Sequence, residues 1–272
     1  MPNPQIVAFG SGFAGDNADV TVGMPSSWSA GHIIGLCVAS DGFNVVLTQA
    51  NGFTLAADPQ SNEAQTTIAG VVGMHVYWKR AIGGSSDGLD PAPVIAAPNG
   101  SGGTVVCAHT NAYSGCRASG TPFHKVVTTL VTIAANAADL SITTDISGCT
   151  VLGIAAVEYN EPSFHGWGGT GAADPTPSLN IGTNTGLGNA CSFSGGIAGR
   201  ATPGTVTLAY FFDSAARQAQ VTLALASEAE ASVVGSIDGQ LEGSAGPAST
   251  TTTIDASVNG ALEGSSGIAV VG

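Results

Sequence analysis

Charged side chains are scarce in this sequence. Asp, Glu, Lys and Arg make up 9% of its 272 residues, against about 25% in ordinary globular domains. A soluble surface must then be covered by Ser, Thr, Asn, Gln and Gly, as in a protein that shares surface with neighbours in an assembly, or in a plain secreted sandwich. Basic residues are scarcest of all: six Lys and Arg stand against nineteen Asp and Glu, for a net charge of −13. A phosphate-binding surface needs clustered cations to displace counterions. Direct nucleic-acid binding is therefore disfavoured, as is attraction to anionic lipid. The acidity leaves room for a basic partner surface. No stretch approaches the roughly eighteen apolar residues of a membrane-spanning helix. Met1-Pro2-Asn3-Pro4-Gln5 carries no basic n-region, and no apolar h-region follows it, so synthesis in a cytosol is expected.

Cofactor and metal signatures are missing too. The five cysteines, Cys37, Cys107, Cys116, Cys149 and Cys191, form no C-x-x-C, and an odd, widely spaced set argues against a disulfide framework. They read as buried, reduced thiols. Cys107 and Cys116 are the one pair close in sequence, and a bridge between them stays open if the intervening segment folds back. The histidines, His32, His75, His109, His124 and His165, make no H-E-x-x-H or H-x-H. His75 and His109 fall on strand-like stretches and could face each other across a sheet, but satisfied histidines are commoner than ligands. No metal and no cofactor is expected. The 39 glycines follow no G-X-Y period, which excludes collagen.

What is present is short-period alternation and turn chemistry. Strands are expected at Asp19 to Gly23, His32 to Ala39 (a continuous apolar run), Asn44 to Thr48 and Phe53 to Ala57. The last two flank Asn51-Gly52, a strong hairpin signal. Ile68 to Ala81 is the longest candidate, with Met74, Val76, Trp78 and Arg80 on one face and His75, Tyr77 and Lys79 on the other. Further strands are read at Gly103 to Thr110, Lys125 to Ile133, Cys149 to Tyr159 and Ser192 to Ala198. Thr205 to Asp213 and Gln218 to Ala226 form a terminal pair around Ser214-Ala215-Ala216-Arg217. Residues 83–93, 111–122 and 160–189 read as loops. Ala134 to Leu140 is the best helix candidate, and a weak one. Many short strands and few helices imply an all-β sandwich or barrel. Eight or more strands fit a jelly-roll-type β-sandwich over residues 1–227.

Residues 228–272 differ. Ser236 to Gly246 and Ser257 to Gly267 agree at seven of eleven positions, 21 residues apart. This segment holds six acids and no base. It is expected to be a small acidic two-copy β-repeat appendage, which must borrow a surface to bury anything.

Sequence motifs for chemistry are weak. Gly84-Ser85-Ser86-Asp87-Gly88 matches G-x-S-x-G, but Leu89-Asp90-Pro91-Ala92-Pro93 follows, and those prolines forbid the helix a nucleophile elbow needs. Gly166 to Gly171 is glycine-rich without the Lys-Ser/Thr of a phosphate loop. Glu158 and Glu161 do not form a facing pair of glycosidase type. The Asp-rich loops around Asp87, Asp90 and Asp174 lack EF-hand spacing. No enzyme is expected. Trp28, Tyr113, Phe164 and Trp167 all read as loop aromatics. They are the candidate contacts for a partner or a glycan, although plugging loops onto the core is the commoner role.

One set of motifs is familiar as a whole. Asn51-Gly52-Phe53-Thr54, then Tyr77-Trp78-Lys79-Arg80-Ala81, then Tyr113-Ser114-Gly115-Cys116 leading to Gly120-Thr121-Pro122-Phe123, resemble jelly-roll virion proteins of tailed bacteriophages, over roughly residues 5–226. The resemblance implies a capsid decoration protein located in the virion, which binds the major capsid protein and its own copies, trimers being a natural form. It carries over no catalytic residue. The alternative it leaves is a head-spike or tail-associated protein that binds a host receptor or glycan.

Overall fold

A computed structural model describes residues 3–10, 13–16, 19–40, 45–56, 65–68, 72–96, 105–157, 164–170, 176–182, 192–200 and 202–228. Within these, only the backbone is described at 13–16, 65, 67–68, 105, 134–138, 164–200 and 210–216. The described residues form sixteen strands and no helix. The first ten are β1 (Gln5–Phe9), β2 (Phe13–Asp16), β3 (Val20–Thr21), β4 (Ile33–Ser40), β5 (Leu47–Gln49), β6 (Thr54–Leu55), β7 (Gln65–Ile68), β8 (Val72–Arg80), β9 (Val94–Ile95) and β10 (Val105–Ser114). The last six are β11 (Phe123–Thr144), β12 (Cys149–Val157), β13 (Phe164–Thr170), β14 (Thr176–Gly182), β15 (Ser192–Arg200) and β16 (Gly204–Ala226).

Every pairing is antiparallel. One seven-stranded sheet runs β1-β10-β4-β8-β6, with β2 beside β10 and β7 beside β8. A six-stranded sheet runs β11-β16-β12-β15-β14, with β13 beside β16. A small third sheet runs β3-β9-β5. The winding is by chain halves: β1 to β10 supply the first and third sheets, and β11 to β16 supply the second.

Side-chain alternation explains the layers. In β4, Ile33, Cys37 and Ala39 enter the core between the two large sheets, where they meet Leu152 and Ile154 of β12 and Val221, Leu223 and Leu225 of β16. Ile34, Leu36 and Val38 point the other way, into a second core closed by Val20 of β3 and Ile95 of β9. All eight β4 residues are therefore buried, and the continuous apolar run needs that two-sided cover. β12 repeats the logic: Val151, Ala155 and Val157 leave the central core for a third cluster with Ile142, Val206 and Leu208. The two faces expected for β8 are found, with Met74 and Val76 in the central core and Tyr77 in the outer one.

Several expectations are corrected. Asn51 (φ 48°) and Gly52 (φ 86°) do form a left-handed turn, closed by Phe53 N–H donating to Ala50 O at 2.8 Å. The arms do not make a hairpin, however: β5 pairs with β9 and β6 pairs with β8. The 134–140 helix candidate lies inside strand β11. The expected loop at 160–189 contains β13 and β14. The terminal pair around Ser214 is one strand, β16, running antiparallel to β11 through register shifts between Val131, Ala135 and Ala137. Bulges absorb the break that reads as a turn. The C-terminal repeat lies outside the described residues.

Candidate functional site

Three loops meet at one end of the seven-stranded sheet, and a buried ion pair ties them together. Lys79 closes β8 on the outer face, where its ammonium has no bulk water. Its Nζ lies 2.8 Å from Asp90 Oδ1, with both side chains nearly inaccessible. The same Nζ donates to Asn51 O at 3.0 Å and sits 5.5 Å from the centre of the Phe53 ring, a cation–π distance. Asp90 accepts from Gly83 N–H at 3.0 Å, Ile82 N–H at 3.1 Å and the Trp28 indole N–H at 3.3 Å. Asn51 Nδ2 donates onward to Ala92 O at 2.5 Å. Burial works against the Asp90 carboxylate. The Lys79 hydrogen bond, the Gly83 and Ile82 amides and the Lys79 charge together outweigh it and hold its pKa below the usual carboxylate range.

Around this carboxylate hang Trp28, half-buried against the outer core, and two exposed apolar residues, Ile82 at 69% and Leu89 at 54%. Ser85 N–H donates to Trp28 O, and Asp87 accepts from Gly84 and Leu89 N–H. The G-x-S-x-G segment is thus a folded loop with no helix behind it, and Ser85 and Ser86 make no side-chain hydrogen bond to a base among the described residues. This pole presents the exposed side chains of Ile82 and Leu89 beside an ion pair that is itself buried. No group of three His, Cys, Asp or Glu residues suited to a metal is found among the described residues.

The four candidate aromatics separate. Trp28 belongs to the pole. Tyr113 is a correction: it is a β10 residue with 4% exposure, lying over Gly35, where an added Cβ would meet its ring at 3.2 Å. Its hydroxyl accepts from Asn111 Nδ2 at 3.2 Å, and burial pushes its pKa up. Phe164 and Trp167 are also corrected from loop to strand, in β13, where they oppose Phe212 and Tyr210 of β16. Sequence reasoning missed Ile82, Leu89 and the Lys79–Asp90 tie. Lys79 at the end of the apolar run Val76-Tyr77-Trp78 was the available signal, since a cation on a buried strand face needs an internal partner.

His75 and His109 do not face each other. His75 sits opposite Val38 of β4 and His109 opposite Cys37, which places them on different faces of the sheet. His75 Nε2 accepts from Val45 N–H at 3.4 Å. His109 is buried with neither ring nitrogen hydrogen-bonded among the described residues, and burial lowers its pKa to about 4 against the opposing effect of Asn111. Cys37, Cys107, Cys116 and Cys149 are buried and form no disulfide among the described residues. Cys107 and Cys116 are not bridged because Val105–Ser114 is one extended strand that carries them apart. A narrow cavity between the large sheets, lined by Gly35, Cys37, Tyr113, Leu152 and Leu223 among others, holds no more than about one water.

No family model matches this chain, and neither does any curated protein or solved structure.

Proposed function

We propose that this chain is a non-enzymatic structural protein of a tailed-phage virion, a capsid decoration protein that binds the major capsid lattice together with its own copies. The loop pole carries the reading. Its buried Lys79–Asp90 pair ties loops together instead of meeting solvent, and it mounts Trp28, Ile82 and Leu89 on a rigid base. Apolar residues fixed in place before binding are what an interface anchor needs. The charge-poor surface suits many neutral contacts.

A jelly roll is the finer fold we propose, on the sequence resemblance. The two-sheet sandwich is compatible with it, but the assignment of sheets to chain halves differs from a winding that alternates between sheets, and the functional reading does not depend on it. The glycan-binding alternative has less support, because Tyr113 is buried and the Trp28 indole N–H is engaged by Asp90.

Co-sedimentation with capsids stripped of the chain tests the proposal. The full chain is expected to pellet with the capsids, and an Ile82→Asp/Leu89→Asp variant with unchanged thermal unfolding to stay in the supernatant. A wild-type chain that stays in the supernatant, or pelleting untouched by the double substitution, overturns it.

A further inference from the structure

β11 is a sheet edge: among the described residues it pairs on one side only, with β16. Long edge strands invite pairing with another chain unless charge, proline or a bulge blunts them. β11 carries register shifts of its own, at Phe123/Lys125 and between Val131 and Ala137, but Lys125 to Val131 run in unbroken register with Ala224 to Gln218 of β16. β11 has neither charge nor proline from Val126 to Ala138, thirteen consecutive residues, and it exposes Leu130 at 41% and Ile133 at 82%.

The charges that end this run identify the occupant. Lys125 and Asp139 bracket it, and neither makes an ion pair among the described residues. Their midpoint is Thr132. Antiparallel self-pairing about a two-fold axis through Thr132 therefore sets Lys125 of one copy opposite Asp139 of the other, twice per dimer. An isologous contact of this kind needs a self-complementary strand. Two chains of net charge −13 repel over most of their surface, and the run from Val126 to Ala138 is where no acid meets acid. A basic partner would find no acid there to bind.

We infer that this chain dimerises by antiparallel addition of β11 to β11 of a second copy, joining two six-stranded sheets into one. The inference does not depend on the virion reading. Sedimentation equilibrium of the full chain across a dilution series, with hydrogen exchange, tests it. A dimer is expected, with slowed exchange at alternate amides from Val126 to Ile133. Lys125→Asp and Asp139→Lys, each placing like charges opposite one another twice, are expected to weaken the dimer about tenfold. The double variant Lys125→Asp/Asp139→Lys restores it, which a mere folding defect would not do. A folded monomer at all concentrations, a trimer, or a dimer indifferent to both single reversals overturns the inference.

Discussion

At the scale of single residues, buried polar groups decide how this protein responds to substitution and to acid. Asp90→Asn leaves the Lys79 ammonium buried without its counter-charge, a change that typically costs about 3–5 kcal/mol. Chemical denaturation is expected to show a loss of that order, and a loss below about 1 kcal/mol would mean the pair is not buried as described. His109 sets the acid response. Its folded pKa of about 4 lies below the unfolded value of about 6.5, so the unfolded chain binds the extra proton between those values. The contribution of neutral His109 is fully present above about pH 6.5 and is lost as pH falls towards 4. In His109→Leu, the fall in stability between pH 6.5 and 4 is expected to be shallower than in the wild type by about 2–3 kcal/mol. Equal slopes in the two proteins would contradict this. Asp90 acts lower: its stabilisation is present above about pH 3.9 and disappears as pH falls through its depressed folded value. Little of this was legible beforehand. Composition announces that charges are few, but which of them are internal depends on loops from three parts of the chain meeting at Lys79.

At the scale of elements, strand identity was readable wherever apolar residues run continuously or alternate. β4 and β12 are such runs, and both are buried along their whole length. The Asn-Gly turn was readable because two consecutive positive φ angles demand those residues. Pairing was not, since a turn sets local direction but not which neighbour each arm finds. The long strands β11 and β16 were hidden by Ala-rich and polar centres whose breaks are bulges rather than turns. Strand β13 was hidden because its three glycines read as loop, and β14 because Pro177 and Asn180 do. One glycine has a specific packing duty. Gly10 bridges to Pro25, and a Cβ there would strike Thr110 Oγ1 and come within 2.7 Å of Gly23 O. Gly10→Ala is expected to destabilise by about 1–3 kcal/mol, read as a lowered midpoint in thermal unfolding. An unchanged midpoint would mean this corner of the sheet yields freely.

At the scale of the whole molecule, the all-β architecture follows from the sequence, while the assignment of each sheet to one half of the chain does not. The buried Lys79–Asp90 pair and the exposed Ile82 and Leu89 beside it are what support the proposed role of a protein packed against neighbours. The virion reading adds to this only what the resemblance supplies. The most direct measurement of it is a reconstruction of purified phage particles at a resolution that traces backbones. The account predicts density for this two-sheet sandwich on the capsid exterior, with the pole of Trp28, Ile82 and Leu89 seated against the major capsid protein. Particles that lack the chain, or that carry it with this pole facing solvent, would contradict it.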